Sequence, residues 1–259
     1  MRTSKTLKKL KAGEVVRVCS VGHYLPFYIR HAAHNGFDCI WLEMEHRIWS
    51  EVEVQAMIAQ CHLHDIDCMV RTPTLEKARL YRLLEDGASG IMIPHVSTPE
   101  KAQMLVDSVK FPPIGDRGQD GAGFDNDFIL SGMEDYPERA NRETFLVVQI
   151  ETPQAVENAD TIAAIPGVDV LFIGPGDLGL RLTRTTGHGL TMESAVDKVA
   201  TACAKHGKAW GMPVASGDEI AHYSAKGGQL LAHGGEFQGI AKMLAEAGKT
   251  FSANIKPHG

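Results

Sequence analysis

Eight short runs of apolar and β-branched residues recur along the chain, and helical spacing fills the gaps between them. The runs read VVRVCSV, CIWLEME, CMVRT, GIMIPH, FLVVQIE, DVLFIGP, KAWGMPV and GQLLAHG. Between them lie stretches such as EVEVQAMIAQCHLH, LEKARLYRLLEDG and ESAVDKVATACAKHG, whose apolar residues return every three to four positions. Strands that are apolar almost throughout need cover on both faces, which a parallel sheet wrapped in helices provides. Eight such units predict a closed (β/α)8 TIM barrel over an open, doubly wound sheet. A chain of 259 residues with 44% hydrophobic content suits one barrel, so residues 1–259 are read as a single domain.

Gly36, Gly87, Gly207 and Gly227 each follow a helical stretch, where a left-handed C-cap is wanted, and they fix the phase of the alternation. One connection breaks the pattern. Residues 111–144, FPPIGDRGQDGAGFDNDFILSGMEDYPERANRET, far exceed an ordinary link from helix to strand. Pro112, Pro113 and the clustered glycines predict irregular backbone there, read as a lid or an intersubunit segment against a plain surface excursion.

The formal charge of −6, with mixed signs and no basic cluster beyond KTLKKLK at the start, argues against a nucleic-acid surface and agrees with small-molecule work. The basic start reads as a solvated first helix, since a targeting signal needs an apolar core. No run approaches the roughly 18 apolar residues of a membrane span. Cys19, Cys39, Cys61, Cys68 and Cys203 are odd in number, scattered and without a CxxC pair, which predicts reduced, buried thiols in a cytoplasmic protein.

In a barrel, chemistry gathers where the strands end at the C-terminal face. The second run ends in Glu43, Glu45 and His46, the third in Arg71, the fifth in Gln149 and Glu151, and the sixth in IGPGDL with Asp177. Glu151 and Asp177, with no Cys or His beside them, suit a hard divalent cation that keeps waters and accepts substrate oxygens. A bidentate 2-oxo acid fills two positions on such an ion, whose charge stabilises the enolate. Arg71 supplies a planar cation for the keto oxygen or a carboxylate, and His46 proton transfer near neutral pH. Each residue also has a plainer role. Either acid can cap the following helix, Arg71 can sit in a structural ion pair, and His46 can be a satisfied buried histidine; it is their joint occurrence in one phase that favours enolate chemistry.

The segments EMEH, VRTP, LLEDGASGIMIPHVSTPEKA, FPPIGDRG, VVQIETPQAVEN and GVDVLFIGPGDLG resemble the metal-dependent class II pyruvate aldolases of the HpcH/HpaI family. The resemblance covers roughly residues 10 to 235 and is most specific in QIET…N and GVDVLFIGPGDL. It implies a (β/α)8 barrel assembled as a homohexamer with an exchanged C-terminal helix. It further implies an aldehyde-lyase that makes or cleaves 4-hydroxy-2-oxo acids, with pyruvate or hydroxypyruvate as donor, an aldehyde as acceptor, and Mg²⁺, Mn²⁺ or Co²⁺ as cofactor. Carried over by position, the metal falls to Glu151 and Asp177, donor contacts to Gln149, Asp177 and the backbone of Gly176, and enolate stabilisation to Arg71. His46 becomes the acid/base, supported by a carboxylate at Glu85 of a neighbouring subunit.

Several positions depart from the family pattern. Glu43 and Glu85 stand where Asp is common, which makes the relay a methylene longer, and Trp210 and Pro213 replace smaller or aliphatic residues around the seventh strand. Two other chemistries fit less well. The HxH pair of CHLHD closes a helical stretch, whereas a metallohydrolase pair ends a strand; Lys77, Lys101, Lys198, Lys205 and Lys226 fall on helical stretches and Lys208 opens its strand, so none is placed for a Schiff base. The citrate-lyase β and malyl-CoA-lyase branch lacks a visible basic pocket for CoA phosphates here. A non-catalytic barrel is the remaining alternative, and the intact acids at both metal positions weigh against it.

Overall fold

The computed structural model describes residues 2–255. Eight parallel strands close into a barrel in chain order: β1 (Val16–Val21), β2 (Cys39–Glu43), β3 (Asp67–Arg71), β4 (Gly90–Ile93), β5 (Phe145–Ile150), β6 (Val170–Ile173), β7 (Ala209–Pro213) and β8 (Leu230–Gly235), the last pairing back with β1. The helices are α1 (Lys5–Lys11), α2 (Pro26–His34), α3 (Glu51–Leu63), α4 (Lys77–Glu85), α5 (Pro99–Val109), α6 (Tyr136–Glu143), α7 (Pro153–Glu157), α8 (Ala159–Ala163), α9 (Pro175–Arg184), α10 (Met192–His206), α11 (Gly217–Ala225) and α12 (Glu236–Asn254). The expected (β/α)8 barrel is thus present, and all eight predicted strands lie within the runs that announced them, to a residue or so at their ends.

Alternation along each strand divides two cores. Trp41, Met69, Met92, Val147 and Phe172 point into the lumen, which Leu7 of α1 helps to fill. Their neighbours Ile40, Leu42, Val70, Val148 and Leu171 point outward, beneath the helices. The N-terminal segment is tied to the barrel floor by Asp67, a fully buried carboxylate that accepts from Ser4 Oγ (2.7 Å), the Thr6 amide (2.8 Å) and Arg2 Nη2 (2.7 Å). Two residues further up each inward line, past the lumen's apolar layers, stand Glu43, Arg71 and Gln149.

Three features refine the expectations. Residues 111–144 are not irregular throughout, because YPERANRE forms α6: Pro137 sits in its first turn, where no N–H is needed, and Asp135 pairs with Arg139 at 2.9 Å. Trp210 points outward against Tyr223 of α11 rather than toward the mouth, whereas Pro213 shares the inward phase of Ala209. Finally, α12 buries only Glu236 and leaves Phe237, Ile240, Met243, Leu244 and Phe251 exposed.

Candidate active site

Glu43 ends β2 and organises the turn beyond it. Its Oε1 accepts the amides of Glu45 (2.7 Å) and His46 (3.0 Å), and its Oε2 accepts from Arg71 Nε (2.6 Å), with Arg71 Nη2 also against it. The extra methylene relative to Asp therefore gives this carboxylate reach to both the turn and the neighbouring strand. Arg71 is buried, with its guanidinium 4.7 Å above the Trp41 ring, which floors the mouth. Its Nη1 lies 2.9 Å from Glu45 Oε2 and donates to Gln149 Oε1 at 3.4 Å. Arg71 is thus in an ion pair, as the plainer reading had it, and is nonetheless aimed into the mouth.

On β5, Gln149 Nε2 donates to Glu151 Oε1 at 3.2 Å. Neither Glu151 nor Asp177 caps a helix: Thr152 is the N-cap of α7, and Gly174 that of α9. The Glu151 side chain instead lies against Gly174, where an added Cβ would come within 2.6 Å of its Cγ and 2.8 Å of its Cδ. The carboxylate therefore reaches across to the start of α9, the helix whose first turn holds Gly176 and Asp177. A Cβ on Gly176 would meet nothing within 4 Å, so the helix is uncovered at this residue, and the first-turn amides of a helix favour an anion. Asp177 is partly exposed, with Oδ1 accepting from Arg181 Nη1 at 2.6 Å.

Two members of the constellation, His95 and Glu45, take roles that only the fold reveals. His95 follows β4 and sits between two carboxylates: its ring Nδ1 is 3.2 Å from Glu151 Oε2, and its Nε2 is 3.5 Å from Glu45 Oε1. Its amide also donates to Glu151 Oε2 at 2.9 Å. The histidine of GIMIPH closes an apolar run and gave no signal of its own. Glu45 was visible as a strand-end acid, yet only the folded turn shows that it pairs with Arg71. His46 is exposed at the rim, its Nε2 3.7 Å from Glu45 Oε2. Glu85 is placed apart from these residues, at the end of α4 under the long loop, 4.0 Å from Arg117 Nη2.

Burial raises the proton affinity of Glu151 above that of an ordinary carboxylate; the His95 amide opposes this, and the charges of Glu45 and Asp177 reinforce it. Among the described residues, no three His, Cys, Asp or Glu side chains converge closely enough to hold a metal by themselves. A hard dication does not require three, because such ions bind through one or two carboxylates and complete their shell with water and substrate oxygens. The donors present fit that description. Glycine at 174 makes the room for Glu151, and a dication relieves the repulsion that Glu151 feels from its acidic neighbours. A crevice of about 320 Å³ between α3 and α4 opens on the outer side of the wall beside Met44 and Thr72 and is not this site.

The family model for HpcH/HpaI aldolase/citrate lyase matches residues 21–241. A hydroxypyruvate/pyruvate aldolase of Deinococcus radiodurans is 32% identical over 239 residues, which are 89% of this chain and 82% of that protein. A 5-keto-4-deoxy-D-glucarate aldolase of Escherichia coli is 32% identical over 222 residues, 83% of this chain and 84% of that protein. The crystal structure of an HpcH/HpaI aldolase from Desulfitobacterium hafniense superposes with a TM-score of 0.88 at 29% identity, covering 97% of this chain and 98% of the other.

Proposed function

The chain belongs to the HpcH/HpaI aldolase/citrate lyase family, and we propose that it joins the enolate of pyruvate or hydroxypyruvate to an aldehyde, making or cleaving 4-hydroxy-2-oxo acids. It is a carbon–carbon lyase of the aldolase type. The observation that carries the reading is the placement of Glu151 against Gly174, at the N-terminus of the helix bearing Asp177 and beside Gln149 and Arg71.

Glu151 and Asp177 hold a divalent ion, Mg²⁺, Mn²⁺ or Co²⁺, which when bound supplies the Lewis acidity that favours the enolate. Gln149 and the Gly176 amide orient the donor carboxylate, and Arg71 holds the keto oxygen as its charge grows. His46 accepts the proton lost from donor C3; C3 then bonds to the aldehyde carbon, and the resulting alkoxide recovers a proton. The uncovered apolar face of α12 supports a hexamer in which that helix is exchanged, bringing the partner subunit's Glu85 to His46. Five free, buried cysteines agree with a reducing, cytoplasmic setting, and no helix among the described residues is long and apolar enough to cross a membrane.

The test is aldol addition of pyruvate and of hydroxypyruvate to a panel of aldehydes in Mn²⁺ or Mg²⁺. Product that forms with metal and stops in EDTA is expected. Turnover that survives EDTA removes the class II mechanism, and silence with every donor leaves a barrel without this chemistry.

A further inference from the structure

The turn after β4 is built to present one side chain. His95 has φ +55°, a left-handed conformation that residues with a Cβ seldom adopt. The turn is held there from several sides. Lys101 Nζ donates to the carbonyls of His95 (3.0 Å) and Pro94 (3.3 Å), Ser97 Oγ lies 2.9 Å from Thr152 Oγ1, and Asn158 Nδ2 donates to the Ser97 carbonyl at 2.8 Å. Such clamped local strain is a mark of functional positions.

What the turn presents closes a circuit. Arg71 contacts Gln149, Gln149 contacts Glu151, Glu151 contacts His95, His95 contacts Glu45, and Glu45 returns to Arg71. The imidazole is the one member joining the two carboxylates, and it links the end of β5 to the turn after β2. Without it, Glu151 keeps the His95 amide and the Gln149 contact, but loses its side-chain tie to Glu45 and the fixed direction that tie imposes.

We propose that His95 is a positioning residue for the metal site: it holds Glu151 Oε2 from the side, so that the carboxylate is aimed at a dication shared with Asp177. The inference rests on the two-carboxylate site proposed above. Groups that orient a metal-binding side chain change metal affinity by about 10- to 100-fold when removed.

The experiment is titration of the metal-free protein with Mn²⁺, with free ion read by electron paramagnetic resonance, in wild type, His95→Gly, His95→Asn and Glu151→Gln, alongside thermal unfolding of each. Glycine takes φ +55° freely and retains the amide to Glu151, so H95G deletes only the ring; asparagine tolerates the same backbone but is too short to span both carboxylates. The expected result is a Mn²⁺ dissociation constant raised about tenfold or more in H95G and H95N, with unfolding temperatures close to wild type. H95G or H95N binding within twofold of wild type, while E151Q loses the ion, overturns the role of His95 alone. Wild type without Mn²⁺ affinity, or E151Q with normal affinity, overturns the two-carboxylate site and the His95 proposal with it.

Discussion

Gly174→Ala puts the proposed metal site under direct mechanical test. Gly174 has φ −94° and ψ 91°, a backbone that alanine adopts without penalty, so the substitution acts only through its methyl group. That methyl would press on Glu151 Oε1 and lie 2.6 Å from its Cγ, where ordinary contact begins at 3.4 Å, so the side chain has to retreat by at least about 0.8 Å. Gln149, the His95 amide and the β5 backbone limit where it can go. Displacements of about 1 Å in a catalytic constellation cost on the order of 100-fold in rate, or roughly 2.7 kcal/mol at 1.36 kcal/mol per tenfold. We therefore expect G174A to fold, to bind Mn²⁺ more weakly, and to lose about two orders of magnitude in kcat/KM for aldol addition. The assay is initial-rate kinetics over a range of Mn²⁺ concentrations, with circular dichroism as the control for folding. A folded G174A enzyme with wild-type rate and metal affinity would refute the argument, because Glu151 would then not depend on the space beside residue 174.

Arg71→Lys keeps the charge but loses the planar fork that meets Glu43, Glu45 and Gln149 together; kcat should fall about 10²- to 10³-fold, or roughly 3–4 kcal/mol, in steady-state kinetics. Asp67→Ala strips three donors of a buried acceptor and should cost about 3 kcal/mol of stability, read as a fall of about 6–12 °C in the unfolding temperature. Glu85 is pushed up to about 7 by burial, which Arg117 opposes and Asp125, Asp120 and Asp86 reinforce. Because its native pKa is raised, its contribution to stability is full below about pH 4.5 and is lost as pH rises through about 7. Glu85→Gln should therefore gain in unfolding temperature relative to wild type between pH 5 and pH 8; a constant difference across that window would contradict the shift.

The barrel was legible because its two periods are chemical necessities. Lumen and outer layer alternate along each strand, and glycine takes the left-handed C-caps at Gly36, Gly87, Gly207 and Gly227, all found at positive φ. The same alternation made Glu43, Arg71 and Gln149 readable, since each sits two residues beyond a lumen residue and is too polar for the core. Glu151 and Asp177 were readable as acids at strand ends, whereas their exclusion as helix caps required the fold. His95 was not readable, because its part depends on a left-handed backbone at a non-glycine residue, which no periodicity announces. Trp210 was legible only as a departure from the family pattern around the seventh strand, and its outward phase, against Tyr223, required the fold. The helix at residues 136–143 was hidden by its own proline, which breaks a helix from within but starts one at the first turn.

The most direct measurement follows the donor alone. Pyruvate in D₂O is expected to lose its methyl proton signal when the protein and Mn²⁺ are present, to keep it in EDTA, and to keep it with Glu151→Gln. Exchange that persists in EDTA or in the E151Q variant would contradict a metal-held enolate at Glu151 and Asp177, and so would a methyl signal unchanged by the loaded wild-type protein.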